Sequence, residues 1–298
     1  MKQKMNNLTT ILLFLILIAG LSLLLYPSVS DYWNSFHSSR AITTYAEDVA
    51  GMDEEQYAEI WSAAWEYNQS LLSRNTDFSL SDSQKNEYEQ LLDASGIGVM
   101  GYIEIPEISV SLPIYHGTSD SILQVAVGHL EWSSLPVGGE SSHCVLSGHR
   151  GLPSAKLFTD LDKIREGDIF LLRVLDEVLT YEVDKITIVE PSQVSDLQIV
   201  EGEDLCTLVT CTPYGVNTHR LLVRGVRTKY IPEEQAKAKE VKQAPFEKCF
   251  YFLGYKIPYW VAGLFIVGFV LVVIIIVIVI VRKNNKRAKT KKVQTDEK

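Results

Sequence analysis

Apolar positions follow three different rhythms along the chain. At the two ends they run together without a charge, over residues 8–25 behind Lys2 and Lys4 and over 259–281 ahead of Arg282. As a helix the second run would be about 35 Å long at roughly 1.5 Å per residue, enough to cross the hydrocarbon of a bilayer. The first run reads either as a retained anchor or as the core of a signal segment, with Ser28-Val29-Ser30 as a weak cleavage pattern. Between the ends the spacing is first helical. Asp53 stands at an N-cap with Gln56 at the capping-box position, and Tyr57, Ile60, Trp61, Ala64, Trp65, Leu71 and Leu72 follow at helical intervals. Residues 73–82 lose the period and read as a loop, and 83–92 as a second helix. After Gly96 the period shortens to that of strands, in runs broken by Gly and Pro at 101–105, 112–115, 143–146, 168–174, 179–189, 205–210 and 220–227.

Short strands behind a helical preface predict a mainly β fold, a closed or partly closed barrel rather than βαβ repeats. The expected organisation is a membrane anchor or signal segment at 1–26, a helical extension at 27–95, a barrel at 96–228, a juxtamembrane linker at 229–258, a transmembrane helix at 259–281 and a basic tail at 282–298. The tail is dense in Lys and Arg, so it is expected to be cytoplasmic, which leaves the middle of the chain extracytoplasmic and the protein in the cell membrane.

Charge and cysteines narrow the chemistry. The formal net charge is −9, and with the basic tail set aside the remainder is more acidic still, which disfavours nucleic acid as a partner. Four cysteines in 298 residues make no disulfide framework. Cys144 and Cys206 sit in apolar strand-like runs as small core residues, and Cys249 reads as packing or a lipidation site near the membrane. There is no CxxC, no HExxH and no cluster with metal-ligand spacing, so no metal or organic cofactor is called for.

The remaining candidates point to acyl transfer. Cys211 ends the run Thr207-Leu208-Val209-Thr210-Cys211, Arg220 begins the next, and His149 follows the strand-like 144–146. Strand ends fix geometry and admit substrate. Aminolysis of an amide needs a nucleophile, a proton carrier and an oxyanion partner. Cys211, His149 and Arg220 suit these in turn, since a guanidinium stays charged and cannot serve as base. Thr210 is a candidate supporting residue beside the thiol. His219 should face away from Arg220 by strand alternation. His116, His129 and His143 read as structural, with His129 the one of the three expected to touch the cleft.

The segments His143-Cys-Val-Leu-Ser-Gly-His149-Arg-Gly-Leu-Pro153, Thr207-Leu-Val-Thr-Cys211 through His219-Arg220, and Gly101-Tyr-Ile-Glu-Ile-Pro106 with Leu112-Pro-Ile-Tyr-His-Gly-Thr118 resemble the sortases of Gram-positive bacteria. The resemblance is nearest to the class C, pilus-assembling members. It implies an eight-stranded sortase-type β-barrel with an N-terminal helical extension, flanked by transmembrane helices. The implied activity is a cysteine transpeptidase that cleaves a Leu-Pro-x-Thr-Gly-type sorting signal between Thr and Gly. The partners would be pilins or surface proteins bearing that signal, with a pilin lysine amine as acceptor. Anchoring to a cell-wall precursor amine is the alternative, and a non-catalytic scaffold for surface proteins a third. Class C members carry a lid with Asp-Pro-Phe or Asp-Pro-Trp; here Asp77-Phe78 lacks the proline, and the two residues are the candidate lid within 73–82.

Overall fold

Strand pairing closes the β-rich half of the chain on itself. The computed structural model describes residues 7–73, 80–229, 249–252 and 255–258. Eight strands, β1 (Val99–Ile105), β2 (Val110–His116), β3 (Val127–His129), β4 (Ser142–Ser147), β5 (Ile169–Val174), β6 (Glu177–Val189), β7 (Asp204–Thr212) and β8 (His219–Thr228), form a closed barrel in the order β1-β2-β3-β4-β7-β8-β6-β5. Closure comes from β5 pairing back onto β1, with Ile103 opposite Leu172. The ladders are antiparallel except β2 with β3 and β4 with β7, which are parallel. Seven strands fall where the period of two predicts them. β3, three residues long, is the one that the pattern does not reveal.

The interior holds Ile103, Ile105, Ile114, Leu146, Leu172, Tyr181, Cys206, Leu208, Leu221 and Val223 in one cluster. A smaller cluster of Val145, Leu197, Val209 and Leu222 lies apart from it. Neighbours along β7 and β8 divide between the two, Leu208 and Leu221 with the first, Val209 and Leu222 with the second. The first is therefore the inside of the barrel and the second a patch on its outer wall.

Three helices precede the barrel: α1 (Asn7–Ala50), α2 (Glu54–Leu71) and α3 (Asp82–Gln90). Asp53 and Gln56 form the expected capping box on α2, and Ser81 with Gln84 forms another on α3. Each helix plants at least one buried polar side chain against the barrel. The Tyr45 hydroxyl donates to Met100 O at 3.0 Å and accepts from Leu175 N at 2.7 Å. Asn68 exchanges two hydrogen bonds with the Leu135 backbone at 3.1 and 2.7 Å. Tyr88 bonds His129 Nδ1 at 2.9 Å and accepts from Gly117 N at 3.0 Å. These groups satisfy backbone that would otherwise be buried without a partner.

Two expectations about the ends are corrected. Among the described residues one helix is long and apolar enough to cross a membrane, Ile11–Ala50 near the N-terminus, so transmembrane helices on both flanks are not what the described chain shows. The cytoplasmic tail implied by that helix is N-terminal, which overturns the placement built on a cytoplasmic C-terminal tail. That placement rests on the density of Lys and Arg at 282–298. Residues 259–281 and 282–298 themselves lie outside the described residues. Within the stretch expected to be a linker, β9 (Cys249–Phe252) and β10 (Tyr255–Pro258) pair antiparallel in a separate unit, Lys242–Lys298.

Candidate active site

β4, β7 and β8 are consecutive in the barrel, and their registers set one row of residues across three strand ends. Ser147 is opposite Val209 in the parallel ladder, Gly148 N continues it by donating to Val209 O at 3.1 Å, and His149 and Cys211 each follow two residues beyond that pair. On the other side of β7, Cys211 is the direct partner of Arg220. By alternation all three belong to the outer face, two residues beyond Ser147, Val209 and Leu222, so the apolar patch of Val145, Val209, Leu222 and Leu197 lies beneath them. All three are half-buried, open to solvent but backed by the sheet. A thiol, an imidazole and a fixed cation thus share one accessible edge.

Local contacts hold this edge. Thr210 is buried, and its Oγ1 donates to Gly148 O at 2.7 Å, which ties the residue before Cys211 to the residue before His149. Gly148 has no side chain because a Cβ there would meet Phe158 at 2.7 Å, and Phe158 N in turn donates to His149 O at 3.1 Å. Arg220 Nη1 donates to Asn217 O at 3.3 Å and His219 O at 3.1 Å, which braces the guanidinium against its own turn.

Arg150 is a residue that sequence reasoning missed. Its guanidinium donates to Thr212 Oγ1 at 3.3 Å, pairs with Asp162 and lies over the Tyr214 ring at 5.9 Å. It joins the residue after His149 to the residue after Cys211. Gly151, at φ +77°, lets the Tyr214 ring approach where a Cβ would meet it at 2.9 Å. The signal was adjacency to His149, but its partners lie far along the chain.

The other candidates separate. His129 does not join the row. It is buried, opposite the inward-facing Leu146, with Tyr88 on Nδ1 and Ser134 O on Nε2 at 2.8 Å, so its parity puts it inside the barrel and away from the cleft. His143 bonds Gln198 O and Thr207 Oγ1, both at 2.7 Å, and burial lowers its pKa below the ordinary imidazole value. His116, between Gly98 O and Leu91 O, is likewise lowered by burial. Asp77 and Phe78 lie outside the described residues. Among the described residues no three His, Cys, Asp or Glu converge as a metal ligand set.

Comparison with known proteins bears on the domain that carries this edge. A family model described as the sortase domain matches residues 103–228, from within β1 to the end of β8. The chain is 51% identical to the crystal structure of sortase C1 from Streptococcus agalactiae, covering 64% of this chain and 100% of that one with a TM-score of 0.63. It is 44% identical to sortase C of Streptococcus pneumoniae, covering 64% and 97% with a TM-score of 0.58. It is 29% identical to sortase A of Streptococcus agalactiae serotype III (strain NEM316) over 157 residues, half of this chain and 63% of the length of that relative.

Proposed function

This chain belongs to the sortase family, in its class C, pilus-assembling branch, and from that premise we propose that the His149, Cys211 and Arg220 row performs transpeptidation on sorting-signal proteins. The observation that carries the reading is the register of β4, β7 and β8, with Cys211 opposite Arg220 and His149 two residues beyond Ser147, whose partner Val209 stands two residues before Cys211. Support for a pilin substrate comes from the Streptococcus pneumoniae relative, whose structure is described for its pilin substrate specificity.

Cys211 Sγ attacks the carbonyl carbon of Thr in a Leu-Pro-x-Thr-Gly-type signal. The oxyanion that forms is met by the Arg220 guanidinium, a cation that needs no proton transfer to act. As the C–N bond breaks, His149 gives its proton to the departing glycine amine, leaving a thioester on Cys211. A lysine amine of the next pilin then attacks the thioester carbonyl, His149 takes its proton, and the new amide leaves as the thiolate is restored. Each strand end holds one group, so binding at the edge orients the peptide against all three at once.

The test is intact-mass analysis of the full chain in detergent with a sorting-signal peptide, followed by addition of a lysine-bearing pilin fragment or a cell-wall precursor amine. A hydroxylamine-labile adduct on Cys211 that passes to lysine is the expected result. Cleavage that persists in Cys211→Ala overturns the nucleophile assignment. Transfer to the wall precursor in preference to lysine makes the chain an anchoring enzyme instead.

A further inference from the structure

The barrel contains two thiols that the transpeptidation does not use. Cys144 on β4 and Cys206 on β7 are direct partners in the parallel ladder, are 2% and 0% exposed and belong to the same interior cluster. Both are free, and their side chains are in hydrogen-bond contact with each other. Registered neighbours stand about 4.8 Å apart, inside the roughly 4.4–6.8 Å Cα window that a disulfide accepts. Both point to the same side of the sheet, so neither strand need turn to bring sulfur to sulfur.

The surroundings make the two sulfurs unequal. Burial resists ionisation of Cys144, but hydrogen bonds from Cys206 and His129 outweigh it and bring this thiol below its ordinary range. Burial, and then donation to Cys144, push Cys206 well above it. The register that sets the two sulfurs side by side supplies an attacking sulfur and a resolving one.

We propose that Cys144 and Cys206 are an oxidation site, a thiol pair inside the barrel that hydrogen peroxide converts to a disulfide stapling β4 to β7. Cys144 sulfur attacks a peroxide oxygen, the O–O bond breaks, and a sulfenic acid and one water result. Cys206 sulfur then displaces the sulfenic hydroxyl, forming the S–S bond and releasing a second water. The two sulfurs together lose two electrons, the peroxide gains two, and both thiol protons leave in water. A thiol reductant returns the pair to two free thiols, so the staple is reversible. It sits on the two strands that carry His149 and Cys211, at the same level on each, so oxidation stiffens the frame beneath the row without occupying it.

The experiment uses the full chain with Cys211→Ala and Cys249→Ala, so that Cys144 and Cys206 are its remaining thiols. After exposure to hydrogen peroxide and alkylation in denaturant, a non-reducing peptide map is expected to show the two cysteine peptides joined. Tm is expected to rise by about 5–10 °C and to return on reduction. Adding Cys144→Ala should abolish the gain. Full alkylation of both thiols after peroxide, conversion of Cys144 to sulfinic acid without a link, or links only between molecules overturns the proposal. None of these results touches the assignment of Cys211 as nucleophile.

Discussion

Arg220 separates the effect of charge from the effect of shape. Its guanidinium is braced by two backbone carbonyls of its own turn, on the residue paired with Cys211 across β7 and β8. Lysine supplies the same charge on a mobile stem with no fork. Arg220→Lys is therefore expected to lower kcat/KM for sorting-peptide transfer by about 100-fold while leaving unfolding unchanged. A near-wild-type rate would show that charge alone suffices. Thr210 tests the frame rather than the chemistry. Thr210→Val keeps the volume but leaves Gly148 O without its donor in a buried place, an expected loss of about 1–3 kcal/mol in urea unfolding. Thr210→Ser should restore most of it. The three residues of the row were legible in the sequence because each ends or begins a β-rich run, where register brings them level. Arg150 was not, since Asp162, Thr212 and Tyr214 are brought to it only by folding. His129 was read onto the cleft because β3 itself went unseen, and without the strand its parity has no meaning.

The helices illustrate how a few polar anchors dock an element. Tyr45 serves Met100 O and Leu175 N with one hydroxyl, so Tyr45→Phe removes the partner of two buried backbone groups at once. The expected cost is about 2–4 kcal/mol, concentrated where α1 meets β1 and the β5–β6 turn. Hydrogen exchange should show Leu175 N losing protection while the β7–β8 ladder keeps its own; uniform loss across the barrel would mean that α1 is integral to the barrel rather than docked on it. The capping box on α2 was readable in the sequence, and the one on α3, which the sequence reading did not name, follows the same local chemistry. The seven longer strands were readable as short β-rich runs broken by Gly and Pro. β3 is too short to show a period, and the pairing of β9 with β10 leaves no comparable alternation across four residues each.

Across the molecule, buried histidines make stability depend on pH. His116 and His143 have pKa values lowered by burial, so in the unfolded chain they take up protons that the folded protein refuses. Between their folded values and about 6.5 the unfolded state binds more protons, and stability rises with pH through that window. Tm is thus expected to be level above about pH 6.5 and to fall below it, less steeply in His143→Gln; an unchanged slope in that variant would clear His143 of the effect. A different consequence follows from how α1 grips the loop after His149. Asp31 Oδ1 accepts from Lys156 N at 2.7 Å, and Asn34 Nδ2 donates to Ser154 O at 2.9 Å. Both lie within a few turns of Leu25, where the apolar run ends, so with that run in the bilayer the proposed row would stand at a set altitude above the lipid, roughly 9–14 Å of helix rise from it. The helix is then a gauge. A membrane-held substrate can be joined only if its scissile peptide stands at that altitude, whereas a free peptide is indifferent to it. Inserting seven helix-forming residues between Leu25 and Asp31 lifts the edge by about 10 Å with little rotation. It should depress transfer from a bilayer-anchored pilin reconstituted alongside the enzyme while sparing the soluble peptide. Equal loss on both, or on neither, would mean that altitude plays no part in choosing what the enzyme joins.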